Sequence, residues 1–410
     1  MSGSKPVNTG SSAATSGARA RKLGGVSLAE LERRWNLLRD HMAERKLDAL
    51  VAVSGHENLS GYVRWMTESL SVYRHVVIFY PNRPMSVIEH GRANEVRVLD
   101  GNDPDKPGVG EVVTVAEFPS VHYTQTYEVK FAIDILKRGG CRTIGLLGRD
   151  SMPHGFVRSL EEALKGTAAF TDETEFVDHC KAIKSPEEIE LLRQTAQMQD
   201  EVFAQLLPRI RPGMRDFEVA ALVQHEGRLR GGYAGVLLVG SAPPGVPAFY
   251  QPDYMQGRVL SKGDHITVLI EDSGPAGYFQ EVARTIVLGK ADPELLEAFD
   301  AAKRAQDYTL SLCKPGALCS DVARAYNSYL TDRGLAPERR VFAHGQGYDL
   351  VERPLIREDE TMRIEPAMAF AIHPAVVTSS SFAVVCDNYI VGKEGPGPCL
   401  HKTEKRVFEV

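Results

Sequence analysis

Ser185-Pro186-Glu187-Glu188 constrains this chain more than any other four residues. Serine at the N-cap, proline at N1 and glutamate at N3 start a helix, because the two side chains satisfy amide groups that a first turn leaves open. The helix is expected to reach about Gln205, and Pro212-Gly213 breaks the pattern before a further helix from Asp216 to about Leu229. Upstream, the apolar runs Leu50–Val53, Val76–Tyr80 and Thr143–Gly148 alternate with helical patterns around 127–138 and 155–165. Strands alternating with helices predict an α/β domain. The chain therefore divides near residue 180, with the border placed between 178 and 179.

Downstream of 230 the pattern changes. Val268-Leu269-Ile270, a turn at Gly274–Gly277 and a return run Val282–Leu288 predict a β-hairpin over 266–288. Helices are expected over 292–312 and 320–333, then short strands and loops punctuated by Gly and Pro over 340–391. At the other end, residues 1–25 are rich in Ser, Ala, Gly and Arg, and no acidic residue precedes Glu30. They lack the apolar core of a secretory signal and are expected to form a disordered tail. Order is expected from Ser27, where Ser27-Leu28-Ala29-Glu30 again reads as N-cap and N3, followed by Leu31, Trp35, Leu38 and Met42 at helical spacing.

With 410 residues, 43% of them hydrophobic, the chain is long enough for two domains. A formal net charge of −6 and no basic run interleaved with aromatics point away from nucleic acid and anionic membrane. No segment has the roughly 18 apolar residues that a membrane span needs. The 6 cysteines are irregularly spaced, which excludes a disulfide framework or zinc finger and suits reduced thiols in a cytoplasmic protein. Gly231-Gly232 with Gly235 and Gly240 does not match a phosphate loop.

Four further segments read singly as structure: Gly277 to Thr285, His344-Gly345-Gln346-Gly347, Ala371-Ile372-His373-Pro374 and Val384-Val385-Cys386-Asp387. Their order and spacing say more. Together with Lys181–Ile189, Arg211-Pro212-Gly213-Met214 and Lys314-Pro315-Gly316, they resemble the pita-bread family of creatinase, prolidase and aminopeptidase P, over about residues 178–395. The resemblance implies an α/β N-terminal domain over 26–178 and an α+β pita-bread catalytic domain over 179–410. It also implies a homodimer acting on a small-molecule substrate.

In the family's peptidases two Asp, one His and two Glu hold a pair of divalent metals. Carried over by position, this sequence departs at four of the five. The first Asp falls near Glu271, or on Asp272 with a slip of one residue. The second becomes Glu281, three before Arg284; the His is kept as His344. The two Glu become His373 and Cys386, the latter beside a retained Asp387. The peptidases' upstream catalytic His falls near Asp253 or Tyr254, and their second loop His on Val351, followed by Glu352-Arg353. Asp253, Tyr254, Glu352 and Arg353 are thus expected to line the substrate pocket, with Arg353 offering a bidentate fork to a carboxylate. Arg284-Thr285 is expected to hold the hairpin, and His401-Lys402 to be exposed.

Two cofactor readings stand. Without metal, His344 and His373 serve as acid and base while Glu271 and Glu281 bind a cationic group or take a proton. With one zinc or iron, the ligands are Glu281, His344, His373 and Cys386. Either removes the bridged metal pair of the peptidases. The expected function is hydrolysis of a C–N bond in a small polar molecule, as in creatinase and ectoine hydrolase. Three alternatives stand beside it. One is a lyase similar to the dimethylsulfoniopropionate-cleaving enzyme, whose hairpin turn is similar to Gly274-Pro275-Ala276-Gly277. The others are an Xaa-Pro peptidase and a non-catalytic scaffold.

Overall fold

A computed structural model describes residues 23–54, 61–70 and 73–410; the expected tail up to Lys22 lies outside the described residues. Order is already present before Ser27, since a Cβ on Gly24 would meet the backbone of Ala276 at 3.0 Å. Ser27 Oγ then accepts the Glu30 amide at 3.1 Å and starts the helix Leu28–Arg45. That helix buries Leu31, Trp35, Leu38 and Met42, the residues the spacing singled out.

Seven strands follow: β1 (Ala49–Ser54), β2 (His75–Phe79), β3 (Met85–His90), β4 (Glu95–Val98), β5 (Val109–Val115), β6 (Thr143–Leu147) and β7 (Ala169–Asp172). They form one mixed sheet in the order β4-β5-β3-β2-β1-β6-β7. Strand β1 is buried along its whole length, which is why it reads as an unbroken apolar run. Leu50 and Ala52 enter one core, Ala49, Val51 and Val53 the other. The helices Tyr127–Arg138 and His154–Ala163 cover the second face.

The helix Thr174–Ala182 runs across the border expected at 178/179. Its Val177 lies in the first core and its Ala182 in a core of the second half. Next comes Pro186–Leu206, closed at its start by the expected reciprocal cap of Ser185 and Glu188, and then Asp216–Leu229.

The second half contains β8 (Gly235–Ala242), β9 (His265–Ser273), β10 (Phe279–Val287), β11 (Ala343–Gly345), β12 (Glu352–Leu355), β13 (Ala369–Ile372), β14 (Ala375–Val377), β15 (Phe382–Val384), β16 (Asp387–Ile390) and β17 (Phe408–Glu409). One sheet has the order β17-β10-β9-β8, a second β12-β11-β13-β16, and β14 pairs with β15. Helices Pro186–Leu206 and Asp216–Leu229 pack on the first sheet, Pro293–Leu312 and Cys319–Thr331 on the second. This is the α+β pita-bread half expected beside the α/β domain.

Charge and close contact lock the halves together. Arg34, fully buried, donates to Glu30 at 2.8 Å, Trp65 O at 3.0 Å, Glu188 at 3.0 Å and the Tyr278 hydroxyl at 2.8 Å. Gly277 sits at φ +82°, and any Cβ there would lie 2.0 Å from the Arg64 guanidinium, so the hairpin turn needs glycine. Among the described residues no helix is long and apolar enough to cross a membrane.

Candidate active site

The site is built on the hairpin. Antiparallel register pairs Glu271 with Glu281 and Leu269 with Ala283. The pleat sends these four to one face, and Asp272, Ile270 and Val282 to the other. Ile270 and Val282 pack with the helices Pro186–Leu206 and Asp216–Leu229. Asp272 is accommodated by Gly227, Gly232 and Gly235, where a Cβ would approach its carboxylate to 2.8, 3.0 and 2.6 Å. The one-residue ambiguity is thereby resolved: Glu271 enters the site and Asp272 does not.

The second sheet supplies the imidazoles. His344 lies on β11, and its Nδ1 faces the Gly345 carbonyl at 2.9 Å. A carbonyl only accepts, so Nδ1 carries hydrogen, and Nε2 is left facing Glu281 Oε2 at 3.5 Å. His373 follows β13, its amide tied to Phe342 O at 2.7 Å, with Nε2 3.9 Å from the same Glu281 oxygen. The two rings meet edge to face, centroids 5.1 Å apart. Glu281 Oε2 and His373 Nε2 are both buried without a hydrogen-bond partner.

Burial lowers the His373 pKa to about 4, against the pull of Glu281, so the ring is neutral at pH 7. Burial pushes the Glu281 pKa up, but the facing imidazoles His373 and His344 outweigh it and hold the group below the usual carboxylate range. Glu271 shifts the other way, well above its ordinary value, through burial and the charge of Glu281. The two carboxylates of one cross-strand pair are driven apart.

Glu281, His344 and His373 place one ligand atom each within 4.8 Å of one another and fit a single divalent ion in a two-histidine, one-carboxylate arrangement. Cys386 is not in that group: its thiol faces the backbone oxygen of Glu281 at 3.4 Å, and burial raises its pKa well above the ordinary thiol value. Glu271 Oε1 already accepts from Gln346 Nε2 at 2.9 Å. The described residues therefore fit one ion and not the family's bridged pair.

Four expected pocket residues lie elsewhere. Tyr254 is 88% exposed and Asp253 is exposed as well. Glu352 is buried between Lys184 at 2.8 Å and Lys181 at 3.3 Å, and takes the amides of Tyr348 and Asp349. Arg353 does grip a carboxylate with a fork, but an internal one, Glu360, and it also pairs with Glu175. His401, expected at the surface, is only 5% exposed. Arg284 holds the hairpin as expected, through Asp387 at 2.6 Å and the carbonyls of Cys386, Thr403 and Glu404.

Two features escaped the sequence reading. Tyr250, four residues before Tyr254, is the tyrosine that turns inward. Its hydroxyl is buried without a partner, its pKa is raised by burial and by Glu281, and its ring stands edge-on to Phe382 at 5.3 Å. The aromatic pair Phe249-Tyr250 between Pro247 and Pro252 was the available signal. The other is the amide pair Gln346 and Asn388 behind Glu271, with Gln346 inside the glycine-rich loop.

Residues 190–394 match the model of metallopeptidase family M24. A probable dipeptidase, PepE, of Mycobacterium tuberculosis is 27% identical over 249 residues, covering 60% of this chain and 64% of its own length. Creatinase of a Bacillus species is 25% identical over 375 residues, covering 86% of this chain and 84% of its own. The crystal structure of an X-Pro aminopeptidase from Thermotoga maritima superposes with a TM-score of 0.77 at 17% identity, over 92% of this chain and 99% of that one.

Proposed function

The chain belongs to metallopeptidase family M24, and from that premise we propose that it hydrolyses a C–N bond in a small, polar, non-peptide molecule. The observation that carries this reading is the pair of buried, unpartnered atoms, Glu281 Oε2 and His373 Nε2, 3.9 Å apart. Orphaned polar atoms in a protein interior are costly unless a ligand completes them. A water seated against them loses a proton to His373 Nε2 as its oxygen attacks the substrate carbon. Glu281 steadies the imidazolium that forms. Glu271, which keeps its proton to higher pH, protonates the departing nitrogen. The single ionised carboxylate at the floor, Glu281, favours a substrate with a cationic group. His344 is held in place by its Nδ1 contact with Gly345 O and turns Nε2 towards Glu281.

A second reading is supported by the convergence of Glu281, His344 and His373 on one point. Those three would hold one zinc or iron, which would supply Lewis acidity and a more acidic water. An Xaa-Pro peptidase reading has the dipeptidase relative in its favour, and a lyase reading the altered ligand set. One set of measurements separates them: metal content of the purified chain, turnover on a panel of small amines and amides against Xaa-Pro dipeptides, and incorporation of oxygen from labelled water. Absence of metal, labelled product and loss of turnover in His373→Ala would uphold hydrolysis by side chains. One ion per chain moves the same reaction to the second reading, and unlabelled product points to a lyase. Two ions per chain with proline-dipeptide cleavage would overturn the proposal. The reading extends to a cytoplasmic homodimer, which sedimentation and cell fractionation test.

A further inference from the structure

We infer that His401, Asn388 and Gln346 form a buried one-way hydrogen-bonding chain that aims Glu271 and Glu281, making His401 a positioning residue for the reaction. The inference rests on the reading above for its catalytic consequence, though not for its geometry.

The three members come from separate parts of the fold, and Asp200 stands beside them. Asp200 lies on the helix Pro186–Leu206, His401 in the C-terminal segment, Asn388 on β16 and Gln346 in the loop after β11. Glu281 N donates to Asn388 Oδ1 at 2.7 Å, and His401 Nε2 meets the same oxygen at 3.0 Å. Asn388 Nδ2 donates to Gln346 Oε1 at 2.7 Å, and Gln346 Nε2 to Glu271 Oε1 at 2.9 Å. Asp200 Oδ1 stands 3.7 Å from His401 Nδ1, beyond hydrogen-bond reach, and flanks the chain without joining it. Asp200 is itself pinned by the amides of Lys402 and Thr403 at 2.7 and 2.9 Å and by the Thr403 hydroxyl at 2.5 Å.

The direction of every link follows from one backbone group. An amide N–H only donates, so the atom of Asn388 facing Glu281 N is oxygen. Its nitrogen must then face Gln346, which turns the Gln346 oxygen towards Asn388 and its nitrogen towards Glu271. His401 Nε2, facing that same Asn388 oxygen, must carry hydrogen and donates to it. Gln346, Asn388 and His401 are all buried. No water stands in for a lost member at low cost, and a network half satisfied is worse than none. Neither amide passes a net proton in its ordinary tautomer. His401 therefore works by orientation, holding Asn388 and through it both the Glu281 backbone and the Glu271 carboxylate.

Crystal structures of the full chain carrying His401→Ala and Asn388→Ala test the geometry without any substrate. Each is expected to show Gln346 rotated and the Glu271 carboxylate displaced relative to the parent. Melting curves establish that both variants are folded. Glu271 and Gln346 unmoved in both structures would overturn the inference, whatever the activity. On the substrate identified by the amine and amide panel, His401→Ala should lower kcat about 10–100-fold with KM little changed. His401→Gln, which keeps an N–H donor towards Asn388, should recover most of that loss. Equal kcat for the parent and the alanine variant would also overturn it. Displacement in the crystals without turnover on the panel by the parent would instead sink the proposed reaction and leave the positioning chain standing.

Discussion

Two buried charged clusters lie within the C-terminal half, and they are built on opposite rules. Around Glu352 every charge is answered: Lys184, Lys181 and two backbone amides converge on one carboxylate, and Lys181 also meets Asp349 at 2.9 Å. Around Glu281 the answers are missing. One carboxylate oxygen, one imidazole nitrogen and the Tyr250 hydroxyl are sealed from solvent without hydrogen-bond partners. Both clusters occupy positions that resemble a substrate pocket in sequence. Only the second is arranged to need something from outside, and the contrast separates scaffold from chemistry better than residue type does.

The hardest test of that contrast is to remove one charge from each. Glu281→Gln should lower kcat/KM by about 10³-fold or more while melting close to the parent, since general acid–base groups contribute on that scale. Glu352→Gln should do the reverse. It strands Lys184 beside a backbone carbonyl and should cost about 3 kcal/mol in denaturant unfolding, because breaking a buried pair exposes the uncompensated charge of its partner. Its pH signature follows from linkage. Burial pushes the Glu352 pKa up, but Lys181 and Lys184 pull it further down, to about 2 from an ordinary 4.5. A folded value below the unfolded one gives stability that is complete above pH 4.5 and is lost as pH falls towards 2. Acid unfolding of Glu352→Gln should therefore be flatter across that window than that of the parent. Similar slopes would show that the cluster does not hold the fold as argued.

The sequence made the frame legible because the frame is local physics. The Ser185 and Glu188 cap, the continuous apolar runs of β1 and β2 and the hairpin around Gly277 each follow from neighbouring residues. The candidate site was partly legible for a different reason: the resemblance to the pita-bread family, carried over by position, singled out Glu281, His344 and His373, whose motifs read singly as structure. What failed was everything decided by partners far along the chain. Arg353 looks like a free fork until Glu360 and Glu175 fill it, and Glu352 like a pocket acid until Lys181 and Lys184, some 170 residues away, close on it. Glu271 and Asp272 cannot be told apart until the strand register is known. Cys386 has the right position, but its thiol turns to a backbone oxygen.

Tyr250 sharpens the comparison further. Removing its hydroxyl deletes a buried group without a partner, so Tyr250→Phe should leave stability unchanged or slightly higher. If the hydroxyl instead faces substrate beside Glu281, the same change should lower kcat/KM about tenfold, the scale of one hydrogen bond at about 1.4 kcal/mol. A variant both less stable and fully active would place Tyr250 with the scaffold.

The smallest effect belongs to Arg353, which the sequence placed at the substrate and the structure places in a surface-linked ion pair. Its guanidinium is about a quarter exposed and engaged by Glu360 and Glu175. Arg353→Lys keeps the charge but loses the fork, so it should cost no more than about 1 kcal/mol. It should leave KM unchanged for any substrate, including one with a carboxylate. A several-fold rise in KM confined to carboxylate substrates would mean that the Glu360 pair opens to receive them. The line between answered and unanswered charges would then have to be drawn around a pocket larger than Glu281, His344 and His373.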